Sequence, residues 1–252
     1  MSQAERQPAD PEPKRRPFQY SLRTLLVFVT LCAIVCSLCS WLAVSIRQTV
    51  REGRRSNAYG RLCQMRLVLQ NYEQKHGALP PLNLRDNQGK PILSWRGLVL
   101  PSLGSEYGPF KQLDLSQPWD GVHNRKVVSS IPPIEWTWFA RDRTTAQSPA
   151  ATHILAYLGS TSMWDGTTGL PRGKTEEHPE RVLLISVPES QIEPLQPGDI
   201  TEDEVRKLVE DGHEVLFVLA GVSDGYGVVG VEDGKLAFHT WQEVLDKRNS
   251  TP

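Results

Sequence analysis

From Thr24 to Ile46 the chain reads TLLVFVTLCAIVCSLCSWLAVSI, 23 residues without a charged side chain. As a helix this run rises roughly 34 Å, enough for a bilayer core of about 30 Å. The pattern predicts a transmembrane helix over residues 22–46. No Pro interrupts the chain from Ile46 to Leu79, and Leu62, Met65, Leu69 and Tyr72 recur at spacings of 3, 4 and 3. That is the stripe of an amphipathic helix. The helix is expected to end at His76-Gly77, where Gly supplies a left-handed cap, before Pro80-Pro81 forbid continuation. Residues 47–76 therefore read as a stalk helix and residues 77–252 as a head. In the head, Pro and Gly punctuation is dense and alternation replaces helical periodicity. Thr152 to Leu158, Arg181 to Val187, Glu214 to Leu219, Tyr226 to Val231 and Lys235 to Thr240 read as strands, the last three as an antiparallel meander. Between them, Thr201-Glu202-Asp203-Glu204 is a capping box leading a helix with Val205, Leu208 and Val209 on one face, closed by Asp211-Gly212. A long N-terminal helix laid on a small antiparallel sheet makes the fold class α+β.

Composition changes this picture in two places. Lys+Arg 28 against Asp+Glu 29 in 252 residues gives a net charge of -1, so the basic footprint of a dedicated nucleic-acid binder is missing and no nucleic-acid partner is expected. The charge is unevenly spread: residues 47–76 carry 7 basic and 2 acidic side chains, while residues 77–252 carry 16 and 24. A basic stalk thus meets an acidic head, which suits docking on the chain itself, on a second copy or on anionic lipid. A solvated charged face fits equally. Of four Cys, three (Cys32, Cys36 and Cys39) lie inside the apolar run and only Cys63 outside it, so no disulfide framework is expected. With Ser40, the three form a small-residue stripe compatible with helix association.

The apolar run has a competing reading as a cleaved signal peptide, with Ala43-Val44-Ser45 as the cleavage site, but it exceeds the usual h-region length. Leu31, Val35 and Leu38 precede the three Cys, which disfavours a lipoprotein box. Basic residues flank the run on both sides, with Arg6, Lys14, Arg15, Arg16 and Arg23 before it and Arg47, Arg51, Arg54, Arg55, Arg61 and Arg66 after it. Orientation rests instead on the short Pro-rich leader over 1–21 and on long C-terminal domains translocating largely regardless of charge. The expected arrangement is a cytoplasmic tail over 1–21 and an extracytoplasmic head, with membrane lipid as a partner.

A run of motif residues opens the head. His76-Gly77-Ala78-Leu79-Pro80-Pro81 is followed by Gly89-Lys90-Pro91, then Ser94-Trp95-Arg96 and Leu100-Pro101, then Pro118-Trp119-Asp120 and His123-Asn124, with Pro132 beyond. These residues closely resemble the signature of a large planctomycete family called domain of unknown function 1559, over roughly residues 57–240. Tyr20 to Leu26 is similar to membrane anchors common in such bacteria. The resemblance implies a pilin-like architecture, similar to type IV pilins and type II secretion pseudopilins, in the inner membrane, with self-association or other pseudopilin-like subunits as partners. It implies no established activity. Phe18 to Leu26 departs from prepilins by lacking both the Gly before the cleavage point and the Glu that aids pilin assembly.

Candidate chemistry is sparse. Gly221-Val222-Ser223-Asp224-Gly225 fits G-x-S-x-G, but a strand follows it rather than the helix of a nucleophile elbow, which makes it a hairpin turn. Asp120 and His123, three apart, would suit acid/base work or two metal ligands, yet His76, His153, His178, His213 and His239 occur singly and supply no third. An Asp/Asn-stabilised turn with Trp119 packed on the core is the structural alternative. Ser94-Trp95-Arg96 reads as a Trp packed under an Arg. Asp224, Glu232 and Asp233 would offer oxygen ligands to Ca²⁺, as in related pseudopilins, or simply be solvated turn acids. No catalytic, cofactor or metal residue is assigned and no cofactor is expected. The leading expectation is a non-enzymatic, single-pass envelope protein with a structural or assembly role. The alternatives are a tethered module binding carbohydrate, peptide or cation and, third, a hydrolase using Ser223 or the Asp120/His123 pair.

Overall fold

A computed structural model describes residues 22–100, 108–131, 151–187, 190–221 and 225–249. The tail over 1–21, Pro101, Pro132, Ser223 and Asp224 lie outside the described residues. The chain divides into two units after Gly53. In the first, helix α1 (Leu22–His76) begins, and its apolar run is exposed on all sides, from Leu25 to Ile46. It is long and apolar enough to cross a membrane. Thr30 and Ser37 return their hydroxyls to the Leu26 and Ala33 carbonyls at 3.0 and 2.8 Å, so these polar groups need no water.

The second unit starts at Arg54 with the remaining turns of α1. Leu62, Met65 and Leu69 are fully buried there and Tyr72 is half-buried. The helix stops where Gly77, at φ 81°, donates its N–H to the Glu73 carbonyl at 2.7 Å. Strands β1 (Asn83–Arg85) and β2 (Pro91–Ser94) then form a hairpin. Its turn is held by Asp86 Oδ1, which accepts from the N–H groups of Gln88 and Lys90, and by Gly89 at φ 80°. Helix α2 (Trp95–Val99), a 3-10 turn (Gly108–Gln112) and helix α3 (Val122–Ser130) follow.

The rest builds one six-stranded sheet in the order β5-β3-β4-β6-β7-β8, from β3 (Ile154–Leu158), β4 (Val182–Ser186), β5 (Ile200–Thr201), β6 (Leu216–Leu219), β7 (Tyr226–Glu232) and β8 (Lys235–Thr240). Neighbours are antiparallel except β5, which lies parallel to β3. Helix α4 (Glu202–Glu210) carries the expected capping box from Thr201 to Glu204, and α5 (Trp241–Asn249) ends the described chain. Strand alternation sorts the core into two layers. Ile154, Ala156, Leu216 and Val218 pack with α1, whereas Leu155, Tyr157, Ile185 and Phe217 pack with Val205 of α4. A register shift between Val182 and Leu184 turns Leu183 and Leu184 toward the same layer.

The five expected strands and the capped helix are present. The sheet differs from the small antiparallel one expected, because β5 adds a parallel edge. The scarcity of helix is also corrected: α2 is a single turn, α3 carries no periodic apolar stripe, and α5 offers only Trp241, Val244 and Leu245 at helical spacing.

Candidate functional site

The motif run Ser94-Trp95-Arg96 is built around Arg96. Ser94 caps α2 by accepting the Arg96 N–H on its hydroxyl, which points Arg96 into the interior, where it is fully buried. There all five guanidinium N–H donors are used. Nε donates to the Pro194 carbonyl (2.9 Å), Nη2 to the Gln196 and Gly198 carbonyls (3.1 and 2.9 Å), and Nη1 to the Ile154 carbonyl (3.5 Å) and Asp199 Oδ1 (3.0 Å). The same Asp199 oxygen accepts from Trp95 Nε1 (3.1 Å) and the Ala156 N–H (2.8 Å). Asp199 Oδ2 is buried without a hydrogen-bond partner. Burial is the first cause pushing the Asp199 carboxyl above its ordinary range and the Arg96 guanidinium below its own, opposed in both by their mutual attraction. Arg96 lies over Trp95 at 5.3 Å, and Trp95 stacks beside Trp164, whose Nε1 donates to the Pro80 carbonyl at 3.0 Å.

A second cluster is organised by Asn124, buried on α3. Its Oδ1 accepts the Asp114 N–H (2.9 Å) and its Nδ2 donates to the carbonyls of Asp114, Gln117 and Pro118 (3.0, 3.3 and 3.1 Å). One amide thus holds the loop that leads into its own helix. Trp119 is half-buried against the core, its N–H donates to the Ile92 carbonyl at 2.7 Å, and Arg125 covers its ring at 5.5 Å. His123 gives Nε2–H to the Gln112 carbonyl at 2.7 Å, while the Asp120 side chain is exposed. No hydrogen bond joins Asp120 to His123. The expected Asp/Asn-stabilised turn is present, the Gly121 N–H donating to the Pro118 carbonyl at 2.9 Å with Trp119 packed on the core, and it leads directly into α3, whose Asn124 holds that carbonyl.

A model of the family described as protein of unknown function (DUF1559) matches residues 48–185, more than half of the chain. The chain belongs to this family. No curated protein and no solved structure matches it. The DUF1559 match begins in α1 and stops in β4, short of the residue 240 expected from the motifs, so Asp199 and the Pro194, Gln196 and Gly198 carbonyls that receive Arg96 lie beyond it, while the Ile154 carbonyl lies within it.

The remaining DUF1559 motif positions are placed singly. His76 stacks on Tyr72 at 4.1 Å, and Gly77 caps α1. Pro81 follows the Pro80 acceptor, Gly89 turns the β1–β2 hairpin, Pro91 opens β2, and the Pro118 carbonyl accepts from Asn124. Glu232 pairs with His239 (3.1 Å) in the β7–β8 hairpin, whose turn holds Asp233 at φ 50°. Among the described residues no three His, Cys, Asp or Glu side chains gather as a metal site. Sequence reasoning missed Asp199, and it missed Glu73, a buried α1 carboxylate that accepts the Thr175 N–H and hydroxyl. Asp199 stands in a Pro-Gly loop and resembles a solvated turn acid, so nothing in the sequence marked it.

Proposed function

We propose that this DUF1559 chain is a single-pass protein of the inner membrane, its tail over 1–21 cytoplasmic and its head extracytoplasmic, acting without catalysis as a pseudopilin-like structural or assembly component. The family and the apolar N-terminal helix fit a membrane-anchored protein. The observation that carries the structural role is where the motif chemistry goes. Ser94, Arg96 and Asn124 are buried and direct their hydrogen bonds to the chain's own backbone and to Asp199. A motif consumed in this way supports a scaffold more readily than a reaction.

The test combines topology with assembly. Full-length protein is expected to stay with membranes through alkaline extraction, and protease added to spheroplasts should digest the head while sparing the tail. Cross-linking in native membranes should yield regular multimers or mixed adducts. Release at alkaline pH would overturn the anchor, a protected head would overturn the orientation, and an exclusively monomeric chain would overturn the assembly role. An intact mass near 28.3 kDa would mean that the tail is retained, whereas loss of the leader would indicate prepilin-like processing.

A further inference from the structure

Where α1 leaves its apolar run, Arg47 and Arg51 are exposed and lie one turn apart on a shared face. At helical spacing their neighbours offer no acid: Gln48, Arg54 and Arg55 surround Arg51 at i−3, i+3 and i+4, and Glu52 is offset from Arg47 by five. Neither has an ion-pair partner among the described residues. Arg55, in the head unit, is already committed to Glu214 and to the face of Trp241 at 4.7 Å. Like charges stacked on one helix face repel, so this pair calls for a counter-anion from outside the helix.

The helix supplies the position of that anion. The apolar run of roughly 34 Å fills the hydrocarbon layer, so Arg47 emerges at its edge and Arg51 about 6 Å farther out. The headgroup layer on one side is itself about 5–7 Å deep, which places both guanidiniums at phosphate depth, within reach of long, flexible stems. Guanidinium is the side chain best matched to phosphate oxygens, in paired hydrogen bonds. From this charge and depth we infer that Arg47 and Arg51 form a recognition site for the phosphate of an anionic phospholipid in the leaflet on the head side. The inference rests on the membrane-anchor reading above.

The full chain is reconstituted in phosphatidylcholine vesicles containing a minority of phosphatidylglycerol, and the bilayer patch around it is excised with polymer and its lipids quantified. Phosphatidylglycerol is expected to be enriched over bulk by about fivefold per arginine. The enrichment should fall as salt rises and drop in Arg47→Gln/Arg51→Gln to the level set by the basic tail and Arg54, with membrane insertion intact. A lipid composition equal to bulk, or unchanged by the double substitution or by salt, overturns the site while leaving the anchor standing. Failure of the wild type to enter any bilayer overturns both. A cross-link to a second copy's acidic head that the double substitution abolishes, with lipid composition unaltered, would assign the arginines to protein instead and overturn the lipid site.

Discussion

The side chains of Arg96 and Asp199 are both buried, so neither contributes to stability independently of the other. Removing one partner from a buried ion pair leaves an uncompensated charge and costs about 3–5 kcal/mol, whereas replacing both costs far less than the sum. Arg96→Met and Asp199→Leu are therefore expected to be severe singly and strongly non-additive together, read by urea unfolding of the full chain in detergent. Additive losses would mean that the pair is not coupled. Asp165 belongs to the surface and behaves oppositely. Its carboxyl accepts the Thr168 and Thr167 N–H groups and the Thr168 hydroxyl, which hold it below the usual carboxylate range. The folded state thus favours the charged form, so its stabilisation is present above the ordinary carboxylate value and is lost as pH falls through the depressed one. Asp165→Asn should flatten the acid limb of a melting-temperature profile. A limb of unchanged slope would assign acid loss to other groups. At this scale the sequence revealed Trp95 under Arg96, because adjacent residues of those types pack that way. It hid Asp199, whose partner is 103 residues away.

At the scale of elements, legibility followed length and period. The buried faces of β3, β4 and β6 are continuous apolar runs, and α4 announces itself by a capping box and a single stripe. Helix α3, Val122–Ser130, offers instead a solvent-exposed Val122 and a buried Asn124, the reverse of an amphipathic pattern, because it is held by the amide's bonds to the preceding loop. Helix α2 is a single capped turn with no room for a period, and the nine residues of α5 follow β8 directly and offer only Trp241, Val244 and Leu245 at helical spacing. For α1 the stripe makes a sharp contrast. Leu69 is fully buried and Leu67 is 55% exposed two residues earlier. Leu69→Ala is expected to cost about 2–5 kcal/mol and Leu67→Ala to stay within about 0.5 kcal/mol, by the same unfolding measurement. Equal effects would remove α1 from the core.

For the whole molecule, the family match and the folded unit do not coincide. The match ends in β4, a strand that needs β6 on its far side, and it excludes the Asp199 carboxylate and three of the four carbonyls that satisfy Arg96. A chain ending at Val187 is expected to lose cooperative unfolding and to aggregate, with the charge of Arg96 left unpaired. A sharp unfolding transition of that fragment would show that the matched region is a domain in its own right. The alternation of apolar and polar residues made the layers readable, but sheet order was not, since β5 joins β3 in parallel through only two residues. The long reach of the Arg96 bonds also has a consequence in time. A ribosome adds about 5–20 residues per second, so Arg96 waits roughly 5–20 s after synthesis for Asp199 to exist, and Gln70 waits longer for the Ala220 carbonyl, 150 residues on. The apolar helix is complete well before that, so its exposed face must find cover while the head is still an open chain.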